Sequence, residues 1–157
     1  MRVGIGRDSH KLVEGRRLVV GGVEIESDAG AVAHSDGDVL LHAVIDAMLG
    51  AAALGDIGDH FPDTDPEYKN ADSRGLLRKA NALLAANGLR VGNVDATVLL
   101  ERPKLGALKG QMCENIAADL GLEPDAVNVK AKSAEGLGEI GRGEAVAAEA
   151  VVVVEQV

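Results

Sequence analysis

Aromatic side chains are almost missing from this chain: Phe61 and Tyr68 are the only two, and there is no tryptophan among 157 residues. Single-stranded nucleic acid is held by rings that stack on its bases. Their scarcity, together with a net charge of −9, weighs against a nucleic-acid partner. Any base or sugar ligand must be held by backbone, aliphatic and charged groups. Cysteine is equally scarce. Cys113 alone excludes an intrachain disulfide framework or a cysteine-rich zinc knuckle, and fits a reducing compartment. Long apolar runs are missing too: Val39 to Leu54 carries His42 and Asp46, so no membrane span is read. Met1 to Gly6 has no apolar h-region, so no secretory signal is read and a cytoplasmic protein is expected.

What remains is a chain 46% apolar, nearly all of it Ala, Val, Leu and Ile, long enough for one cored domain over 1–157. Arg2 to His10 reads as a strand, with Gly4 and Gly6 allowing close approach on one side. Leu18–Val20 and Val23–Ile25 flank Gly21-Gly22, a hairpin signal. Asp38 caps a predicted helix from Val39 to about Ala53, closed by Gly55. Asp56 to Tyr68 is a polar loop of functional length. Ser73 opens a second helix that Asn87-Gly88 ends, and a third runs from about Leu105 to Leu120 with Gly121 as its stop. Val94–Leu100, Val127–Lys132 and Ala145–Val154 are further strands. This order predicts an α+β two-layer sandwich, a mainly four-stranded sheet with helices on one face. The run Val151 to Val154 puts apolar groups on both sides of the last strand, which predicts an oligomer.

The chemistry concentrates around the histidines. Asp8 and His10 alternate on one strand and point the same way, and His42 lies on the helix after a turn. One carboxylate and two imidazoles with a position left open is the ligand set of a catalytic zinc. Asp46, one helical turn after His42, is placed to accept that ring's other N–H. The competing reading of His42 and Asp46 is a half-buried polar helix face. His34-Ser35-Asp36-Gly37-Asp38 reads as turn chemistry except for His34, which suits phosphate binding or acid–base work. Asp56, Asp63 and Asp65 offer acceptors for a polyol, or form a solvated loop; His60 between them reads as surface. Arg102-Pro103-Lys104 at a strand-to-helix junction, and the Gly-rich stretch from Lys130 to Gly143 with Lys132 and Arg142, are candidate anion sites. The second lacks the Walker pattern.

These segments, in order, resemble the 2-C-methyl-D-erythritol 2,4-cyclodiphosphate synthase family from Arg2 to about Val154. The resemblance is carried by AHSDGDVLLHAVIDAMLGAAALGDIGDHFPDTDP at 33–66 and GRGEAVAAEAV at 141–151, supported by DSH at 8–10, RPKL at 102–105 and VNVKAKSAEGLG at 127–138. It implies a homotrimer with active sites between subunits, and zinc held by Asp8, His10 and His42. Glu135 matches a ligand to a second divalent ion, magnesium or manganese. Asp8, His10, His34, Ser35, Asp56, Ile57, Gly58, Phe61 and Asp63 match positions around a methylerythritol phosphate. Leu100, Lys104, Leu105, Ala131, Lys132, Ser133 and Arg142 match the pocket for a cytidine diphosphate group from the neighbouring subunit. His34 and Ser133 match residues that stabilise the transition state. The implied reaction is attack of a 2-phosphate on the β-phosphorus of a cytidyl diphosphate substrate, releasing CMP and a cyclic diphosphate on the route to isoprenoids.

The chain departs from the commonest family pattern at Arg7, Ser9, Lys132-Ser133-Ala134 and Glu139. Arg7 and Glu139 are expected to pair across the threefold axis and leave a polar channel. Two other functions fit the same residues: a metal-dependent phosphoesterase using water, and a non-catalytic trimeric nucleotide-binding protein.

Overall fold

Glycine at alternate positions of the first strand decides how the rest of the molecule docks. The computed structural model describes residues 1–157. Its strands are β1 (Arg2–Glu14), β2 (Leu18–Val20), β3 (Val23–Ile25), β4 (Ala29–Ala31), β5 (Leu89–Leu99), β6 (Val127–Lys132) and β7 (Ala145–Gln156). Its helices are α1 (Val39–Ala52), α2 (Ile57–His60), α3 (Ser73–Ala86), α4 (Lys109–Leu120) and α5 (Gly138–Gly141). Gly4 and Gly6 point from β1 at α1, and a Cβ on either would overlap the carbonyl of Ala47 or Ala43. The helix therefore lies directly against the strand. Twelve of its fourteen residues are buried, which an all-round apolar sequence requires.

The main sheet has five strands in the order β4-β1-β7-β5-β6, one more than expected. The addition is the three-residue β4, which pairs with the far end of β1 (Leu12↔Ala31). That pairing needs β1 to continue past His10 to Glu14. β1 and β7 run antiparallel from Arg2↔Val154 to Lys11↔Ala145, β5 and β7 are also antiparallel, and β5 and β6 are parallel. The Gly21-Gly22 hairpin forms its own two-stranded sheet, both glycines at positive φ as a tight turn demands.

The long helices cover one face of the main sheet. On the other, Val3 is 63% exposed, Ile5 71% and Val151 42%. Arg7 sits on that face too. Its guanidinium lies 2.9 Å from Glu149, its register partner on β7, so its counterion within the chain is not Glu139. No helix is long and apolar enough to cross a membrane.

Local details add to the expected helix boundaries. Ala53, at φ 58°, closes α1 ahead of Gly55. Asp72 caps α3, which makes Ser73 its first helical residue. The polar loop 56–68 contains α2 and a 3-10 turn, Pro66–Tyr68.

Candidate metal centre

Alternation on β1 sends Asp8 and His10 to the same side as Gly4 and Gly6, towards α1. Because α1 is seated so closely, His42 in its first turn meets them. Asp8 Oδ2 lies 2.9 Å from His10 Nε2 and 3.0 Å from His42 Nδ1, and the two ring nitrogens are 3.3 Å apart. Zinc bonds of roughly 2.0–2.1 Å in a tetrahedron put neighbouring ligand atoms about 3.3 Å apart. The triangle is therefore the base of a tetrahedral site for one divalent ion, with its open side towards solvent. His42 is buried, while Asp8 and His10 are half-buried.

Without an ion, the three groups bind each other. Burial works against the charge on Asp8, but hydrogen bonds and charge from His10 and His42 outweigh it and hold the carboxyl well below the usual range. Burial likewise opposes a proton on His42, and the bond to Asp8, aided by the charges of Asp38 and Asp36, raises its pKa nonetheless. A divalent ion replaces the imidazolium charge in that balance.

The back of the His42 ring is held by Ser35, expected near the site, and by Ser73, which the sequence did not disclose. Nε2 lies 2.8 Å from Ser73 Oγ and 3.2 Å from Ser35 Oγ. Ser73 is completely buried, and its backbone N–H and hydroxyl both donate to Asp36. Asp46, expected to play this part, instead accepts from Ile57 N–H at 3.1 Å. One helical turn brings the two backbones together, but the ring turns to β1 and the carboxylate turns to the loop. Asp38 is also missing from the predicted site. Its carboxylate takes the N–H groups of Gly21, Gly22 and Leu41, clamping the hairpin to the start of α1. Burial pushes its pKa up to about 6 against the pull of those three donors.

The triad stands at one end of a cavity of about 460 Å³. His34, Ser35, Ile57, Gly58, Phe61 and Asp63, all expected around a substrate, line it; Pro62, Tyr68 and Leu76 line it as well. His34 Nε2–H donates to Asp65 O at 3.1 Å, which fixes the ring at the loop. Phe61 and Tyr68 meet edge to face, 5.5 Å between centroids, so the two aromatics brace the loop. His60, read as surface, is half-buried and donates to Leu54 O at 2.7 Å. Asp56 does not line the cavity; it caps α2 in a reciprocal box with Asp59.

The other predicted residues lie outside this cavity. Leu100 N–H bonds to Lys132 O, so 100–105 and 131–135 leave the ends of parallel β5 and β6 side by side. The side chains of Leu100 and Leu105 are in the core, so only their backbone is available to a ligand. Lys104, Lys132 and Glu135 are exposed, and Ala131 and Ser133 half-buried. Ser133 Oγ accepts from Glu135 N–H, and Glu101 accepts from Ala134 and Gly136 N–H, shaping a loop in which Glu135 has φ 53°. Arg142 is paired with Glu144 at 2.9 Å. One chain thus carries two clusters of candidate residues that do not share a cavity.

The chain is 60% identical over 156 residues to a 2-C-methyl-D-erythritol 2,4-cyclodiphosphate synthase of Dechloromonas aromatica, covering 99% of this chain and 98% of that protein. Among solved structures it superposes on the bifunctional IspDF of Campylobacter jejuni with TM-score 0.95 and 44% identity, covering 99% of this chain but 42% of that longer one. It also superposes on a 2C-methyl-D-erythritol-2,4-cyclodiphosphate synthase in its CDP-bound form, with TM-score 0.90 and 41% identity over 98% of this chain and all of that one. The model of the YgbB family matches residues 1–155, and the chain belongs to that family.

Proposed function

We propose that this protein is a cyclodiphosphate synthase that closes 4-diphosphocytidyl-2-C-methyl-D-erythritol 2-phosphate into 2-C-methyl-D-erythritol 2,4-cyclodiphosphate. One observation carries the reading: Asp8, His10 and His42 converge on a single point at the edge of a cavity sized for a sugar phosphate. An oxygen of the 2-phosphate attacks the β-phosphorus, the bond from that phosphorus to the CMP oxygen breaks, and CMP leaves with the electron pair. A zinc ion on Asp8, His10 and His42, with a second magnesium or manganese ion on Glu135, would supply Lewis acidity and offset the repulsion between phosphates.

The chain's own residues supply position. His34 and Ser35 line the cavity beside the triad; Ser35 offers a hydroxyl to phosphate oxygens, and His34, its Nε2–H held by Asp65 O, would donate from Nδ1 as the imidazolium. Asp63 and the backbone at Ile57-Gly58 face the cavity where the polyol hydroxyls would lie. Asp56 shapes that wall through its cap on α2. Folding a flexible substrate back on itself is an entropic problem, and a walled pocket addresses it. No protein nucleophile is required.

The cytidyl end is assigned to the second cluster: the backbone of Leu100 and Leu105, with Lys104, Ala131, Lys132, Ser133 and Arg142. Ser133 and His34 are the proposed transition-state stabilisers. Because the clusters are separate in one chain, a neighbouring copy must bring them together. We assign that assembly to a homotrimer, with Val3, Ile5 and Val151 covered inside it. The chain acts as one domain over 1–157, in the cytoplasm.

Incubation of the purified protein with the cytidyl substrate tests this. CMP and the cyclic diphosphate are expected in equal amounts. Linear methylerythritol phosphates would make it a hydrolase, and nucleotide binding without turnover would make it a scaffold.

A further inference from the structure

We infer that Ser73 and Asp36 are positioning residues that fix which nitrogen of His42 faces the metal. The inference rests on the metal reading of the triad, and follows from counting donors. Asp36 receives three: Asp38 N–H and the Ser73 hydroxyl at Oδ1, and Ser73 N–H at Oδ2. A carboxylate only accepts, so the single hydroxyl proton of Ser73 is committed to Asp36. Ser73 Oγ can then act towards His42 only as an acceptor. At 2.8 Å, buried on both sides, it demands a proton on His42 Nε2. In a neutral imidazole that leaves Nδ1 with the lone pair, and Nδ1 is the atom 3.0 Å from Asp8 Oδ2 and 3.3 Å from His10 Nε2.

The chain Asp36–Ser73–His42 thus orients the ring and selects the tautomer. A hydroxyl stands where a carboxylate or carbonyl more often contacts a metal-bound histidine directly. Ser35 Oγ, farther at 3.2 Å, also accepts from Gly37 N–H, and no acceptor fixes its own proton, so it imposes no direction. The placement is built by the fold: Ser73 is the first residue of α3, and the 34–38 turn is tied to the segment before that helix by Asn70 N–H to His34 O and Asp36 N–H to Ala71 O.

Two measurements test this on the whole protein. In the zinc-loaded native protein, ring-nitrogen NMR should show His42 with a slowly exchanging proton on Nε2 and the metal on Nδ1. Metal on Nε2 would overturn the inference without any variant being made. Zinc affinity, read by competition with a chelating dye, should fall about 10- to 100-fold in Ser73→Ala and be largely regained in Ser73→Thr, which restores the acceptor. Ser73→Ala that folds and binds zinc as tightly as the native protein would refute the role. A native protein that binds no zinc would bring down the metal reading itself, a distinct result.

Discussion

Asp38 shows how one buried side chain serves structure at a cost. Its carboxylate closes three backbone N–H groups of two elements that otherwise share no strand. Folded, it holds its proton up to about pH 6, against 3.8 for a free aspartate. The unfolded chain therefore releases that proton first. The Asp38 contribution is most favourable below pH 4 and declines as pH rises from about 4 to about 6, by about 3 kcal/mol in all. Asp8, with its lowered pKa, acts in the opposite sense and only at more acid pH. Denaturant unfolding of metal-free protein and of Asp38→Asn across pH 4 to 6, below the range in which His42 titrates, isolates the term. The stability difference between them should shrink by that amount, and a constant difference would contradict it. The same residue explains why the hairpin packs where it does, since Asn115 also holds Gly21 O from α4.

Among the elements, the decisive contact is β1 against α1. Adding a methyl at Gly6 places it inside the carbonyl of Ala43, backbone that cannot rotate away. Gly6→Ala should cost at least the 1–3 kcal/mol or so of an overpacked core. Because α1 carries His42, zinc affinity should fall with stability, read by thermal unfolding and chelator competition on the same sample. A variant with normal stability and affinity would show that the helix is not seated by these glycines. Much of this was legible in the sequence. Alternation placed Asp8 and His10 together, Asp38 and Gly121 marked helix ends, and Gly21-Gly22 marked the hairpin. What escaped is what depends on distant partners. Ser73 reads as an ordinary helix start, since His42 lies 31 residues away. Asp46 misled because an i, i+4 spacing fixes where a side chain begins but not which way it turns. The strand β4 escaped because three residues carry no periodicity.

For the molecule as a whole, the proposed trimer would account for both an open sheet face and a divided site. Exposed Val3, Ile5 and Val151 leave an apolar strip without a partner in the chain, bordered by the Arg7–Glu149 pair. Assembly through that strip would also deliver the 100–105 and 131–135 cluster to a neighbour's cavity. Ile5→Asp, at a position 71% exposed, should leave the monomer fold intact. It should yield monomers in sedimentation and lower cyclising activity by at least a hundredfold, with unfolding of the monomer little changed. An active monomer would contradict a shared site.

All of this depends on one divalent ion held by a strand carboxylate, a strand imidazole and a helix imidazole. Crystals of the purified protein measured on both sides of the zinc absorption edge give the most direct answer. The account predicts one anomalous peak per chain, about 2.0–2.2 Å from Asp8 Oδ2, His10 Nε2 and His42 Nδ1. A peak bound elsewhere, or a fully active protein with no peak at that triangle, would contradict it.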